Sequence, residues 1–268
     1  MRPLPGRLVL LGHPVAHSLS PRFQNAALRA AHIPLEYEAL DVPPDALDVV
    51  LAELAASRAS GNVTIPHKEA IAARCARRSS LAERCGAVNT FWHEDDALVG
   101  DNTDVGGVDA IAAALLGEAR ATARVALVGA GGSAAAVLAA AERWGSATVR
   151  LYNRNVERAH ALASRFGDSV EVVDTVERAL AGATLVVNAT PVGLHDDDVP
   201  VPIEALPKSA AVFDLVYRAN ETTWVRAARE AGHRAADGEG MLVEQGALSF
   251  ERWFGIEPDR NAMWRALR

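Results

Sequence analysis

Lys68 is one of two lysines in a sequence of 268 residues that contains 27 Lys and Arg residues in all. It follows a predicted strand in which alternation places the polar side chains of Asn62 and Thr64 on one face and apolar Ile65 on the other. Pro66 ends that strand because proline has no backbone N–H to donate. Arginine stays protonated in proteins, whereas a lysine can transfer its proton to a bound substrate. The segment therefore predicts a general acid or base, and the alternative interpretation is an ordinary surface lysine.

Asp104 ends a second polar segment, residues 100–104, which follows a predicted hairpin. Apolar residues recur at helical spacing beyond it, so Asp104 is predicted to begin a helix. Backbone N–H groups and the helix dipole stabilise a carboxylate at that position, which is one interpretation of the residue. The other is that Asp104 accepts hydrogen bonds from a hydroxylated substrate and holds Lys68 in place.

Two serines follow the first predicted strand, a short apolar run that ends at Gly12 and is typical of a buried parallel strand. Ser20 directly precedes Pro21, which predicts that Ser20 caps the first helix and that Pro21 begins it. Ser18 is interpreted as a loop hydroxyl. A loop at the carboxyl end of a strand is also where open α/β sheets bind ligands.

No metal site or disulfide is predicted. His13 and His17 are four residues apart, but a proline and the loop context prevent them from sharing one helical face. His195 precedes three aspartates, and this run is interpreted as an acidic surface loop. Cys75 and Cys85 fit neither a disulfide framework nor a zinc site, so two free buried thiols are expected.

A glycine-rich segment at residues 129–134 reads Gly-Ala-Gly-Gly-Ser-Ala and lies between a predicted strand and an alanine-rich helix. This is the Gly-x-Gly-x-x-Ala form of the dinucleotide-binding fingerprint in its strand-loop-helix context. Its glycines allow a tight turn and close approach of a pyrophosphate, whose charge the helix N-terminus favours. The alternative is a turn whose small residues only let helix and strand pack closely.

The next predicted strand, residues 148–152, ends where an NAD site usually carries an acid for the ribose hydroxyls. Asn153, Arg154 and Asn155 follow it instead, with Arg158 one turn later. Two guanidinium groups without an acid suit a ribose 2′-phosphate, which predicts NADP rather than NAD. The alternative is a pair of solvated arginines at the start of a helix.

Strand-like runs alternate with helical stripes along the chain, which predicts an α/β fold. With half of its residues apolar, a chain of this length is expected to form two domains. In the final predicted helix, Met241 and Gln245 lie four residues apart on one face. The predicted strands lie near residues 8–11, 35–39, 61–65, 87–92, 98–99, 124–128, 148–152, 172–174, 184–188 and 211–217.

The charge and hydropathy of the sequence exclude several classes of partner. The net charge is −7 and there is no basic run, so neither nucleic acid nor a membrane surface is an expected partner. No apolar stretch approaches the roughly 20 residues of a membrane span, and the N-terminal residues do not resemble a signal peptide. We therefore expect a cytoplasmic protein that acts on a small molecule.

Taken together, these segments resemble the shikimate dehydrogenases, and the resemblance covers nearly the whole chain. It implies reversible, NADP-dependent reduction of 3-dehydroshikimate to shikimate in aromatic amino-acid biosynthesis, by a monomer or homodimer. It also implies an N-terminal α/β substrate domain (residues 1–103 with 239–268) and a Rossmann domain (residues 104–238), with the C-terminal helix returning to the first domain. The segments that carry the resemblance are residues 12–21, 62–68, 86–90, 101–104, 129–134, 153–154, 188–190 and 237–245.

The resemblance also implies roles for individual residues. Lys68 and Asp104 resemble the catalytic pair of the family. The substrate-binding residues would be Ser18 and Ser20 with Tyr217 at the carboxylate, and Thr64, Asn89 and Gln245, together with Asp104, at the ring hydroxyls. The cofactor-binding residues would be Gly129, Ala130, Gly131, Gly132, Ser133, Asn153, Arg154, Asn155, Arg158, Thr190, Leu215, Gly238 and Met241.

Two departures from the family pattern concern the cofactor side of the site. Arg218 follows the tyrosine where family members often have proline, and Asn155 stands where threonine is frequent. A rival function is a quinate or shikimate dehydrogenase that uses NAD, against which the two arginines argue. A second rival, a non-catalytic NADP sensor, should have lost Lys68 or Asp104. A triad hydrolase is excluded because the Gly-x-Ser-x-Gly motif is absent from the sequence.

Overall fold

The computed structural model describes residues 4–218 and 220–268. The described chain divides into two compact units, one formed by residues 4–104 with Leu242–Arg268 and the other by Val105–Met241. Strands and helices alternate through both units, which confirms the predicted α/β fold class.

The elements are numbered in chain order. The strands are β1 (Leu8–Gly12), β2 (Tyr37–Asp41), β3 (Ser60–Val63), β4 (Arg77–Arg78), β5 (Thr90–Glu94), β6 (Ala97–Asp101), β7 (Arg124–Val128), β8 (Thr148–Tyr152), β9 (Val170–Val173), β10 (Leu185–Asn188), β11 (Ala211–Asp214) and β12 (Ala235–Ala236). The helices are α1 (Ser20–Ala30), α2 (Leu47–Ala56), α3 (Lys68–Arg74), α4 (Ser80–Cys85), α5 (Asp104–Leu116), α6 (Gly132–Ala141), α7 (Val156–Ala163), α8 (Val176–Leu180), α9 (Thr223–Glu230), α10 (Gly238–Phe254) and α11 (Arg260–Arg265).

The first unit contains a mixed six-stranded sheet in the order β2-β1-β3-β5-β6-β4. β1 pairs in parallel with β2 and β3, whereas β5 is antiparallel to both β3 and β6. The carboxyl ends of β1, β3 and β6 and the amino end of β5 therefore lie at the same edge of the sheet. The segments after residues 12, 63 and 101 and before residue 90 are gathered there, although they are far apart in sequence.

β1 is buried on both faces because its side chains alternate between two apolar layers. Leu8 and Leu10 belong to a core with α1, α10 and α11, in which Phe23 and Phe250 are fully buried. Val9 and Leu11 belong to a second core on the other face of the sheet, with α2 and α3. A strand covered on both faces is fixed in register, because a slip of one residue would exchange the two sets of side chains.

α10 is tied to this unit by two polar contacts from its inner face. Gln24 of α1 donates a hydrogen bond from Nε2 to the main-chain oxygen of Gly246, at 2.9 Å. Arg252 forms an ion pair through Nε with Oδ2 of Asp101, at 2.7 Å, and the Asp101 side chain is buried. Both contacts lie on the C-terminal side of Gln245, so they hold the part of α10 that follows it.

The second unit contains six parallel strands in the order β12-β11-β10-β7-β8-β9. This is the Rossmann order, in which the direction of winding reverses between β7 and β10. Ligands of such sheets bind at the carboxyl ends of the strands at this switch point. The glycine-rich loop follows β7, so it lies at the position that the fold reserves for a dinucleotide.

Several predicted strand ends are displaced. The strand expected at residues 35–39 is observed at Tyr37–Asp41, and the one expected to reach Tyr217 ends at Asp214. The strand expected to include Ile65 ends at Val63, and the Ile65 side chain is 69% exposed. Alternation holds only while the backbone stays in the ladder, and it leaves the ladder before Pro66.

Gly61→Ala should destabilise the first unit strongly. A Cβ atom at Gly61 would lie 2.0 Å from the main-chain oxygen of Val9, which is fixed in the β1–β3 ladder. Because a main-chain oxygen cannot rotate away, we expect a cost at the upper end of overpacking effects, about 3 kcal/mol or more. Thermal or urea unfolding followed by circular dichroism would measure it.

The matched control is Gly117→Ala. Gly117 has φ of +56°, but nothing lies within 4 Å of a Cβ placed there. Its substitution should therefore cost about 1 kcal/mol from backbone strain alone. Equal costs for the two variants would contradict the close-approach argument.

Candidate active site

The edge of the first sheet brings together a lysine and an aspartate from separate helix starts. Lys68 is the first residue of α3 and Asp104 is the first residue of α5. Lys68 Nζ lies 2.6 Å from Asp104 Oδ2, and the two side chains are 16% and 6% exposed. The lysine is therefore a nearly buried, ion-paired residue rather than a free surface residue.

Asn89 connects this ion pair to α10. Its Nδ2 atom donates to Asp104 Oδ1 at 2.7 Å and lies 3.1 Å from Gln245 Oε1. The same atom lies 2.9 Å from Thr103 Oγ1. An amide nitrogen has two hydrogens, so three acceptors share two donors.

Main-chain hydrogen bonds fix the position of Asn89. Val63 N donates to the Asn89 oxygen at 2.8 Å, and Asn89 N donates to the Asp101 oxygen at 3.1 Å. Val88 N donates to the Lys68 oxygen at 2.9 Å. The backbone of Asn89 is thus held by β3 and β6, and the backbone of Val88 is held by Lys68.

Thr64, Ser18 and Ser20 lie in the loops at the same edge. Thr64 follows β3 beside Gly12, since a Cβ at Gly12 would lie 2.4 Å from Thr64 Cγ2. The prediction that Ser20 caps α1 is wrong: Leu19 occupies the cap position, and Ser18 Oγ accepts a hydrogen bond from Ser20 N at 3.2 Å. Because Ser20 already has helical geometry, its hydroxyl is not used in capping.

In the second unit, the glycine-rich loop packs against the segment that follows β10. Gly129 has φ of +110°, and a Cβ there would lie 2.8 Å from main-chain atoms of Ala189. Gly131 is the residue before α6, and Gly132 and Ser133 form the first turn of that helix. Backbone N–H groups at such a helix start can bind a pyrophosphate, so the loop has the geometry that a dinucleotide requires.

Arg154 and Arg158 lie beside this loop in the turn that starts α7. Arg158 Nε donates to the Ala130 oxygen at 2.9 Å, while Arg154 is exposed. Asn155 caps α7 by accepting from Arg158 N at 2.8 Å, and Asn153 Nδ2 donates to the Asn155 oxygen at 2.7 Å. The two asparagines thus shape the turn that carries both arginines.

A buried carboxylate organises the ends of β10 and β11. Asn188 Nδ2 donates to Asp214 Oδ1 at 2.8 Å, and Asn188 Oδ1 accepts from the Thr190 main-chain nitrogen at 2.9 Å. The hydroxyl of Thr222 donates to Asp214 Oδ2 at 2.8 Å. Burial raises the pKa of Asp214 to about 6, although these hydrogen bonds lower it, and the nearby Asp237 carboxylate raises it further.

The remaining predicted cofactor residues lie on the same side of the second sheet. Leu215 follows β11, and its N–H donates to the Asn188 oxygen at 2.9 Å. Gly238 N donates to the Val216 oxygen at 2.9 Å, and Met241 is buried in the first turn of α10. Tyr217 is half-buried in the segment between β11 and α9.

Thiols and metal ligands add no chemistry to this site. Cys75 and Cys85 are both free; Cys85 is buried and Cys75 is half-buried. Burial raises the pKa of the Cys75 thiol to about 11, which keeps it protonated and unreactive. Within residues 4–218 and 220–268, no cluster of His, Cys, Asp and Glu could hold a metal ion, and no helix is long and apolar enough to cross a membrane.

A Rossmann sheet with a glycine-rich loop at its switch point, joined to a unit with a Lys–Asp pair, defines the class of nicotinamide-dependent dehydrogenases. Family models match the chain as "Shikimate dehydrogenase substrate binding domain" over residues 10–91, "Shikimate / quinate 5-dehydrogenase" over 111–194 and "Shikimate 5'-dehydrogenase C-terminal domain" over 238–268. A shikimate dehydrogenase (NADP(+)) of Rubrobacter xylanophilus is 43% identical, with 96% of this chain and 94% of the relative covered. The chain belongs to the shikimate dehydrogenase family, as its motifs predicted.

Solved structures with the same fold include relatives with different cofactors. Shikimate 5-dehydrogenase from Thermus thermophilus, in complex with NADP(H) and shikimate, is 40% identical with a TM-score of 0.89, and 98% of each chain is covered. Quinate dehydrogenase from Corynebacterium glutamicum, in complex with NAD, is 30% identical with a TM-score of 0.87 over 97% of each chain. The fold is therefore compatible with either dinucleotide, and the choice between them depends on local residues.

Sequence reasoning missed Thr103 and Asp214 as parts of these networks. Both are buried; Thr103 is hydrogen-bonded to Asn89, which was assigned to the site, and Asp214 to Asn188 in the segment that carries Thr190. The available signal was a polar residue next to Asp104 in one case and a carboxylate in an otherwise apolar strand in the other. Buried polar groups require partners, so each of these positions indicated a network.

Asp214→Asn should remove part of the pH dependence of the free energy of unfolding. A carboxyl group whose pKa is raised in the folded state stabilises the fold below its unfolded pKa, and this contribution is lost as the pH rises through the folded value of about 6. The amide of asparagine can keep the bonds to Asn188 and Thr222 without becoming charged. We expect the variant to gain up to about 3 kcal/mol relative to the wild type between pH 4 and pH 7.5.

Unfolding midpoints of both proteins across that pH range would measure the difference. Asp214→Ala is the control, because it removes the charge and also the hydrogen bonds and should be destabilised at high pH as well as low. A difference between the asparagine variant and the wild type that does not change with pH would contradict the assignment.

Proposed function

We propose that this chain catalyses the reversible reduction of 3-dehydroshikimate to shikimate with NADPH, a step of aromatic amino-acid biosynthesis. The observation that carries the proposal is the Lys68–Asp104 pair, hydrogen-bonded through Asn89 to Gln245. The function and cofactor agree with the names of the relatives, such as the shikimate dehydrogenase (NADP(+)) of Rubrobacter xylanophilus.

The two units have separate tasks in this proposal. Residues 1–103 and 239–268 form the substrate-binding and catalytic domain, which carries Lys68, and Asp104 lies at its boundary. Residues 104–238 form the domain that binds NADP. The division into compact units at Asp104 and Met241 supports this assignment, since each unit has its own sheet and its own apolar core.

In the substrate domain, hydroxyl groups bind the substrate carboxylate and the polar cluster binds the ring hydroxyls. Ser18 and Ser20 donate to the carboxylate, and Tyr217 is assigned to the same group. Thr64, Asn89 and Gln245 contact the ring hydroxyls beside the catalytic pair. The helical position of Ser20 supports this role, because its hydroxyl is not used as a cap.

Lys68 handles the proton of the reaction. Bound NADPH supplies a hydride to the ketone carbon of the substrate. Lys68 Nζ donates a proton to the ketone oxygen as it gains negative charge, and in the reverse direction the amine accepts that proton from the alcohol. Asp104 holds Nζ in position through its 2.6 Å contact and accepts a hydrogen bond from the neighbouring ring hydroxyl.

The residues of the second unit fit NADP. Gly129, Ala130, Gly131, Gly132 and Ser133 surround the pyrophosphate at the start of α6. Asn153, Arg154, Asn155 and Arg158 bind the adenosine phosphate, and Thr190, Leu215, Gly238 and Met241 bind the nicotinamide end. The exposure of Arg154 supports a 2′-phosphate site, since an exposed cation is accessible to an anion.

The test of the function is an absorbance assay of the nicotinamide with shikimate or quinate, each against NADP or NAD. We expect the highest kcat/KM for shikimate with NADP. Preference for quinate with NAD would replace the proposed substrate and cofactor. Absence of turnover in all four combinations, with NADP binding retained, would support a non-catalytic sensor.

Lys68→Ala should lower turnover by about 10² to 10⁴-fold, the usual contribution of positioned proton transfer, without loss of NADP binding. Lys68→Arg should be similarly impaired, because arginine keeps the charge beside Asp104 but does not release its proton. The exposed Lys208 provides the matched control, and Lys208→Ala should behave like the wild type. Near-normal turnover of Lys68→Ala would contradict the catalytic role.

Arg154→Ala should raise the KM for NADP by about tenfold or more and leave the KM for NAD unchanged, because a charge-assisted bond to the 2′-phosphate is lost. Arg158→Ala should impair both cofactors, because Arg158 also holds the Ala130 oxygen of the glycine-rich loop. The control is Arg178→Ala, which removes an exposed arginine paired with Asp174 and Glu171. An equal effect of Arg154→Ala on NADP and NAD would contradict a 2′-phosphate contact.

A further inference from the structure

The hydroxyl of Ser249 lies at the centre of a buried hydrogen-bond network behind the candidate active site. Ser249 is completely buried on α10, one turn after Gln245. Its Oγ atom donates to the Gln245 main-chain oxygen at 2.9 Å and accepts from Asn62 Nδ2 at 2.8 Å. It also lies 2.9 Å from Thr103 Oγ1. One hydroxyl thus joins α10, β3 and the turn before α5.

The number of hydrogens fixes the direction of these bonds. A hydroxyl has one hydrogen and can accept two hydrogen bonds. The Gln245 oxygen can only accept, so Ser249 gives it the hydrogen. The amide nitrogen of Asn62 can only donate. Thr103 is therefore assigned as the donor toward Ser249 at 2.9 Å, the shorter of its two contacts with an acceptor, since Asn89 Oδ1 lies at 3.1 Å.

The orientation of Asn62 is fixed independently. Its Nδ2 atom also donates to the main-chain oxygen of Asn89 at 3.1 Å, which rules out a flipped amide. Its Oδ1 atom accepts from the hydroxyl of Tyr37 at 2.9 Å. Burial raises the pKa of Tyr37 well above its usual range, so this hydroxyl keeps the hydrogen that it donates.

The donor role of Thr103 also determines which hydrogen bonds Asn89 makes. Because the hydrogen of Thr103 points to Ser249, Thr103 Oγ1 accepts one N–H of Asn89 at 2.9 Å. Asn89 Oδ1 accepts from Thr103 N at 2.7 Å, which excludes the flipped orientation of this amide. The second N–H of Asn89 is then directed at Asp104 Oδ1 and Gln245 Oε1.

We propose that Ser249 and Thr103 are positioning residues for substrate binding, which orient the amide of Asn89 and the helical turn that carries Gln245. This inference rests on the proposed function, since it concerns the groups assigned to the ring hydroxyls. Neither hydroxyl reaches the reacting atoms in this scheme. Their effect passes through Asn89 and Gln245, so it falls on the affinity for shikimate.

The variants that test this are Ser249→Ala, which removes the central hydroxyl, and Thr103→Val, which replaces a hydroxyl by a methyl group of similar size. Thr103→Ser keeps the hydroxyl and should rescue the effect. Ser57→Ala is the matched control, because the Ser57 hydroxyl also donates to a carbonyl of its own helix, that of Leu54, in the same unit but outside the network.

We expect the KM for shikimate to rise about tenfold in Ser249→Ala and in Thr103→Val, the effect of one lost hydrogen bond. The KM for NADP should stay within about twofold of the wild type, and kcat should fall by less than about threefold. Thr103→Ser and Ser57→Ala should have nearly wild-type values. If Ser249→Ala does not fold, the Thr103→Val and Thr103→Ser pair decides the matter.

Two results would overturn the inference while the proposed function stands. One is a wild type that oxidises shikimate with NADP together with variants whose KM for shikimate is unchanged. The other is a fall in kcat together with a rise in the KM for both shikimate and NADP, which indicates a general loss of structure. A wild type without any turnover of shikimate would instead overturn the proposed function, so the two failures are distinguishable.

Discussion

The contact between Lys68 and the buried carboxylate of Asp104 is the constraint on which the first unit depends. A buried ion pair adds little net stability, because desolvation of both charges offsets their attraction unless other hydrogen bonds satisfy them. The position of Lys68 adds to this cost, since a cation at the start of a helix opposes the helix dipole. Asp104 compensates on both counts, because a carboxylate at a helix start is favoured and accepts from both Lys68 and Asn89. The surrounding residues are therefore arranged to satisfy a pair that would not be retained for stability alone.

The mixed sheet explains how residues that are distant in sequence meet at this pair. Three strand ends and one strand start share an edge because β5 runs against β3 and β6. α10 then supplies the last group, Gln245, and the contacts of Gln24 and Arg252 hold the helix just beyond it. The second unit uses a different principle: its loops converge because the winding of a parallel sheet reverses, and Asn188 with Asp214 joins the two strands beside the reversal.

Sequence patterns predicted the features that depend on local spacing. The glycine-rich loop, the strand that follows it and the helix that begins at Asp104 all have signatures within about ten residues, and the structure has each of them. The functions of Ser249 and Asp214 were not predicted, because periodicity marks a position as buried without naming its hydrogen-bond partners. The same limit explains Ser20 and Ile65. A serine before a proline is usually a cap, and an alternating apolar residue is usually part of a strand. Here the chain geometry at Ser18 and after Val63 overrides both patterns.

The hydrogen count at Asn89 bears on the kind of substrate that this site can bind. With one N–H given to Thr103, the other serves Asp104 Oδ1 at 2.7 Å and reaches Gln245 Oε1 only at 3.1 Å. The shorter contact, to a charged oxygen, takes the larger share of that hydrogen. Gln245 Oε1 therefore shares its donor with Asp104, and its second lone pair can accept a further hydrogen bond. An alcohol hydroxyl can supply this hydrogen, and it can accept in turn from the ammonium of Lys68 or a neighbouring N–H. A ring that carries several hydroxyls satisfies these requirements together, whereas an apolar ligand would supply no donor to this acceptor.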